Sequence, residues 1–426
     1  MKALRLAALM AIPLLLAGCT TRERLNPLDP MNRVTHGALT GFDAIAGESV
    51  VEFRWPQLAS TGITGYRVQR WRPGEAPQWL GGADDPPTAT AGEDFAVAND
   101  STYVYRLVAH LSGGDSALSA PDTATPGVRR LLTLEAGIPA FSRLSPDARD
   151  LLFEREEVEA YEDMELDTRH QVVWLPIEGL DVIVRRDLSG ATVGPDLVLP
   201  GPVDVSVSNA RGIGWVASPT GQRVVSFGPD LADPSPQITI NAIGHPRAVE
   251  AGTVDLSVWI GNDEGSVYRV RAQDGAQTDQ WNLGAGGVRE IALDEPAGAA
   301  WIATRPGTTD ELYYLVHADS TRRLVLSRLA NVVDLAVDAA SGDLWISERG
   351  EPGLGAGRLT RVSRDGVTLA TLPAIEPYGI DVDPIDGSVW VSDLRSDRIL
   401  HVDKNGATTR RSPPLSAPYA VRVHVP

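Results

Sequence analysis

The chain has 426 residues, of which 43% are hydrophobic and 22% charged, with a formal net charge of −18. Its apolar share, with 41 Gly and 31 Pro, describes a globular, turn-rich and β-rich chain with a packed core. The acidic balance excludes a nucleic-acid binder that works through charge, because a negative field repels phosphate. Cations and basic partners would be drawn to such a field, although solubility alone would also account for it.

Residues 1–18 read as a leader, not as part of a fold. Lys2 and Arg5 give it a basic start, and Leu6 to Leu16 form an apolar run of eleven. That run is too short for a permanent membrane span. It ends in Leu16-Ala17-Gly18-Cys19, which resembles the lipobox of bacterial lipoproteins. The resemblance implies cleavage before Cys19, lipidation of that cysteine and stable anchoring by two or more acyl chains. In such lipoproteins an Asp after the cysteine marks inner-membrane retention. Thr20 stands there instead, so the outer membrane is the favoured destination, on its periplasmic side or at the cell surface. Loss of Lys2 and Arg5 takes the net charge to −20. Cys19 is the only cysteine, so the chain has no disulfide, thiolate metal site or Cys nucleophile.

Residues 19–37 are expected to be the lipidated cysteine and a tether. Asn26-Pro27-Leu28-Asp29-Pro30 suits neither helix nor central strand, since each proline removes a donor and fixes φ. Residues 38–126 have the length of a small β-sandwich. Val50 to Trp55, Gly65 to Trp71 and Tyr103 to Ala109 alternate as strands. Trp55, the Tyr66-x-Val68 pair and the Tyr103, Tyr105, Leu107, Ala109 series resemble a fibronectin type III domain. The resemblance implies that Trp55 and Tyr103 are core residues and that the unit serves as spacer or docking module.

Residues 127–426 are periodic. Trp174, Trp215, Trp259, Trp301, Trp345 and Trp390 recur at intervals of 41, 44, 42, 44 and 45 residues. Seven residues before each, a short alternating strand ends. Repeats of that period, each a small antiparallel sheet, predict a β-propeller. Pro377 to Asp403 carries the pattern most clearly, with Asp386-Gly387 and Asn405-Gly406 as hairpin turns. The wording resembles an NHL repeat. A further inner strand, Pro418 to Val423, stands alone at the C-terminus and would be a liable edge. Pairing with strands drawn from 128–158 would close the ring. The expected fold is therefore all-β, a sandwich followed by a six- or seven-bladed propeller, with seven favoured.

Aligning the inner strands places Asp163, Asp204, Glu290 and Asp334 in one column. Two residues on, Glu165, Glu250, Asp381 and Arg422 share another. Inner strands ring the central channel, so these side chains should converge on it. Asp163, Asp204, Glu290 and Asp334 are candidate metal ligands, because carboxylate oxygens around a funnel suit Ca²⁺ or another divalent cation. Hydrogen bonds to backbone are their alternative role. His245, Glu250, Asp381, Arg305, Glu348 and Arg349 are candidates for a ligand-binding face. Two connections on that face, Arg305 to Glu311 and Glu348 to Gly357, read as long loops. The seven histidines are scattered, and no nucleophile elbow, P-loop or dinucleotide fingerprint appears.

Two functions are compatible with this reading. The favoured one is a lipid-anchored envelope protein that binds or scaffolds a protein, peptide or glycan, is not an enzyme and has no nucleic-acid partner. The alternative is a metal-dependent lactonase or lyase, since the repeats also resemble gluconolactonase-like and streptogramin-lyase-like propellers. In those families a channel metal acts as Lewis acid. This chain lacks the inner-strand Asn and His that such families use, with only Asn331 and His245 adjacent.

Overall fold

The computed structural model describes residues 28, 37–57, 62–81, 84–241, 243–284, 286–351 and 355–426. The leader, Cys19 and most of the tether lie outside these described residues. Contacts divide the chain into two compact units. One comprises residues 1–45 and 50–125, and the other 126–426 together with 46–49.

The smaller unit is two antiparallel sheets. Asp43–Ala46, Val51–Arg54 and Ala91–Asp94 form one. The other joins Gln78–Trp79, Ile63–Trp71 and Tyr103–Leu111, and both Ser116–Leu118 and Asp122–Ala124 pair with the last of these. Alternation along each strand turns large rings inward. Phe53 meets Tyr105 across the sheets at 4.9 Å, and Trp55 meets Tyr66 at 5.7 Å. The buried Asp94 carboxylate accepts from Arg70 (2.8 Å) and from the Tyr105 hydroxyl (3.1 Å), so this buried charge is paired. The hydroxyl of Tyr103 accepts the Ala98 N–H at 3.0 Å.

The larger unit contains seven four-stranded antiparallel sheets among the described residues. Blades 1 to 6 are 165–198, 204–241, 246–282, 287–329, 332–373 and 377–411. Each runs outward from its first strand to its fourth, as short hairpin connections dictate. Blade 7 is composite. Its innermost strand is Pro418–His424, followed outward by Arg130–Glu135, Ala140–Leu144 and Leu151–Glu156. The first and last strands of the larger unit thus share one sheet, and the inner strand of blade 7 lies beside that of blade 1. The ring is a seven-bladed propeller. Ala140–Leu144 is a strand that reading 128–158 for outer strands did not pick out.

The six tryptophans sit on the second strand of blades 1 to 6, all at 2% exposure or less. Each packs forward onto the next blade. Trp174 lies among Val205, Val207, Val216 and Phe227 of blade 2, and Trp345 among Ile380, Val391 and Leu400 of blade 6. Gly214 leaves room for this packing, since a Cβ there would stand 2.7 Å from the Trp174 ring. In blade 7 the equivalent position is Leu132, which with Leu134 and Phe141 fills the wedge against blade 1.

Two connections differ from the sequence reading. Arg305 and Asp310 end paired strands, leaving a turn of 306–309 in place of a long loop. The Gly-rich segment after Glu348 extends a hairpin, with Glu351 opposite Gly355. Trp345→Ala is expected to destabilise the protein by about 3–5 kcal/mol, by transfer and cavity terms together. Denaturant unfolding would measure this, and an unchanged midpoint would contradict the wedge role of the ring.

Candidate ligand-binding channel

The seven inner strands share one register. Glu165, Ser206, Glu250, Ala292, Ala336, Asp381 and Arg422 each stand directly opposite the Trp (or Leu132) position of the neighbouring strand. Side chains two residues apart share a face of a strand, so two tiers point to the axis. They bring seven carboxylates, those of Asp163, Glu165, Asp204, Glu250, Glu290, Asp334 and Asp381, to a cavity of about 1000 Å³ whose lining also includes Glu162, Glu178 and Asp338. Arg422 is the cation among them. It stands 3.3 Å from Glu165 and 3.6 Å from Asp163. Ala292, Ala336, Gly379 and Ala420 leave the space open.

A third tier forms the mouth, and the sequence reading missed it. In blades 3 to 7 the inner strand bulges at its start, before Ala248, Glu290, Asp334, Ile380 and Ala420. A bulge re-aims the residue it leaves unpaired. Arg247, Arg289, Val333, Tyr378 and Tyr419 are turned to the channel mouth in this way. Tyr378 and Tyr419 meet edge to face at 6.1 Å and 86°. Neither the tyrosines nor the arginines follow the period-2 alternation that marks the acidic columns. The signal available in sequence was only their common position, one residue before the first of those columns and three before the second.

Four of the acids have a structural task. An inner strand is a sheet edge, with backbone N–H groups that lack a ladder partner. Asp163 accepts the Val205 N–H (3.2 Å), Asp204 that of Val249 (2.6 Å), Asp334 that of Ile380 (2.7 Å) and Asp381 that of Val423 (2.8 Å). Each bond reaches from one blade to the next inner strand. Glu250 faces Ser206, and Glu165 pairs with Arg422. Glu290 makes no hydrogen bond or ion pair among the described residues. The four candidate metal ligands therefore share one channel, but their oxygens are not gathered to a point. Among the described residues, the one trio of such ligand atoms within 4.8 Å of one another is Asp383, Asp386 and His401, outside the channel. That trio is already satisfied. Asp383 Oδ2 accepts from Arg129 Nε (2.5 Å) and Trp390 Nε1 (3.2 Å), and both His401 nitrogens face hydroxyls, of Ser388 (2.6 Å) and Thr409 (2.5 Å). The Arg129 guanidinium also lies 3.6 Å from the Asp386 carboxylate.

The expected binding face divides in the same way. Glu250 and Asp381 lie inside the channel, and Arg349 lines its mouth, paired with Glu376 (2.9 Å) and stacked over Tyr378. Glu348 is fully buried, because it accepts the Ala330 N–H (2.8 Å) and a bidentate pair from Arg358 (2.6 and 2.9 Å). Arg305 is committed to Glu351 and Asn331, and His245 to Glu264 (2.8 Å). These three do not line the cavity.

Burial raises the channel carboxyls above their ordinary range. Glu165 and Asp334 are pushed up to about 7 and Asp381 to about 6, with Arg422 opposing the shift in each case. Asp204, Glu250 and Glu290 are pushed well up by burial and by neighbouring carboxylates. The folded chain thus holds more protons than the unfolded chain between about pH 4 and the raised values. The stability contribution is full below that window and is lost as pH rises through it. Thermal melts should therefore show a falling melting temperature from pH 5 to pH 8. Glu290→Gln should flatten the fall and raise the melting temperature at pH 8, whereas an unchanged profile would contradict a strained carboxylate at this position.

No protein-family model matches the chain, and no curated protein sequence matches it. Solved structures do match in fold. A functionally unknown protein from Desulfotomaculum acetoxidans is similar at a TM-score of 0.54 and 11% identity, over 70% of this chain and 99% of that one. A protein from Lactobacillus plantarum is similar at 0.54 and 14%, over 70% and 99%. Kuenenia stuttgartiensis hydrazine synthase is similar at 0.52 and 10%, over 62% and 95%. At these identities the likeness establishes a β-propeller-like fold and nothing finer.

Proposed function

We propose that the protein is a lipid-anchored binding protein of the cell envelope, whose propeller takes a ligand into its central channel. The observation that carries this reading is the cavity of about 1000 Å³ on the ring axis, lined by charged groups of both signs and by two tyrosines at its mouth. Concave sites of this size with a few convergent polar groups are where small ligands bind. The leader ending at Cys19 supports the anchor. The two-sheet arrangement of the smaller unit, with Trp55 buried and the Tyr103 hydroxyl bonded back to Ala98, supports a fibronectin type III-like spacer. The wording of the propeller repeats, clearest in Pro377 to Asp403, supports an NHL-like reading. The metal-dependent lactonase or lyase reading draws less support. No three of its carboxylates gather within 4.8 Å of one another among the described residues, and Asp163, Asp204 and Asp334 each use an oxygen on backbone N–H groups.

Two measurements test the proposal. Cys19→Ala is expected to move the protein from the membrane fraction to the soluble fraction, and unaltered membrane association would refute the anchor. The melting temperature of the full chain is expected to be equal in EDTA and in excess Ca²⁺, Mg²⁺ or Zn²⁺. An ion present at about 100 times its Kd would add roughly 2.7 kcal/mol. A shift of that kind, lost in the Asp204→Ala/Asp334→Ala double variant, would reinstate the metal enzyme.

A further inference from the structure

Two neighbouring residues in the channel are uncommitted, and their charges are opposite. Arg289 is exposed at the mouth and makes no hydrogen bond or ion pair among the described residues, unlike Arg247 and Arg349, which pair with Asp263 and Glu376. Glu290 follows it, half-buried and also unpaired, facing Asp334 and Asp204. Adjacent residues of a regular strand point to opposite faces. Here the bulge between Val288 and Glu290 turns both toward the channel. A free guanidinium at the opening thus stands above a free carboxylate in the wall. Below them Ala292 and Ala336 keep the deep tier open.

We propose that the channel binds a dipolar ligand of the diamino-acid class, with its carboxylate on Arg289 and its distal ammonium among Glu290, Asp334 and Glu250. This rests on the channel being a ligand site. The spacing is suitable. At about 3.3 Å per residue, the Arg289 tier lies about 3 Å along the strand from the Glu290 and Asp334 tier and about 10 Å from the Glu250 tier, a span that brackets the reach of a four-carbon amine stem. A carboxylate accepts a bidentate fork from arginine, and an ammonium offers three donors to separated oxygens. A bare divalent ion would need those oxygens within about 5 Å of one another, at its bond lengths of 2.3–2.6 Å. No three of the channel carboxylates satisfy that among the described residues. An anion alone would meet the acidic deep tiers, and a plain amine would leave Arg289 unanswered. The same chemistry is offered by a free diamino acid and by a peptide that ends in one.

The full chain in mild detergent is titrated calorimetrically with L-lysine, with a tripeptide ending in lysine, with cadaverine (no carboxylate) and with norleucine (no distal amine). Lysine or the tripeptide should bind about tenfold or more tighter than either truncated analogue. Arg289→Ala should weaken the dipolar probe by about tenfold and leave cadaverine unchanged, and Glu290→Gln should weaken both. Neither side chain holds the fold through a hydrogen bond, so both variants should remain folded. Equal binding of lysine and tripeptide assigns a free diamino acid, and binding of the tripeptide alone assigns a peptide end. Cadaverine binding as tightly as lysine would overturn the proposal. So would failure of every probe. In that second case, a glycan or metal ion whose stabilising effect is lost in Glu290→Gln would leave the channel as a ligand site and reject only the ligand class. If no such ligand is found either, the channel reading falls too.

Discussion

The wedge between neighbouring blades is the constraint on which the larger unit depends. A four-stranded antiparallel sheet has two faces, and in a ring both must be covered by other sheets. The sheets fan outward, so the gap between them needs a large apolar filler. A tryptophan on the second strand meets that need in blades 1 to 6, and the apolar clusters recur from wedge to wedge. Burying about 200 Å² of indole contributes roughly 5 kcal/mol at each wedge. The packing is directional, from each ring to the blade that follows. A ring built on that rule closes only if the last blade meets the first.

Closure falls to the composite blade. The C-terminal strand pairs with Arg130–Glu135, and the Thr133 hydroxyl donates to the Ala420 carbonyl at 2.8 Å. Arg129, just before that sheet, reaches the buried Asp383 of blade 6. A buried charge is tolerated when it is paired and hydrogen-bonded, as here. Because closure aligns seven inner strands in one register, equivalent residues meet at the axis. The concentration of carboxylates there is thus partly a consequence of architecture, since exposed inner-edge N–H groups call for acceptors.

The aspartates answer that call, whereas Glu290, one methylene longer, does not reach a backbone partner. The repeat alignment placed Asp163, Asp204, Glu290 and Asp334 in one channel, because period-2 alternation and a fixed repeat length carry that information. It did not separate the acids held by backbone from the one left uncommitted. That depends on the position of the next blade's amides, some forty residues away in sequence. Glu348 and Arg305 were drawn into the expected face by their loops, yet Glu348 is held by Arg358 of the adjacent strand and Arg305 by Glu351 of the next blade.

The sequence by itself determined the all-β class, the repeat length and the tryptophan column, because these depend on local period and residue type. It also indicated that the last strand needed a partner. Tertiary structure alone decided that seven sheets close the ring and that 130–156 supplies three strands of the seventh. It also turned Arg289, Tyr378 and Tyr419 inward through bulges. Bulges and ring closure are set by how strands distant in the chain pair and pack, and no local pattern encodes that geometry.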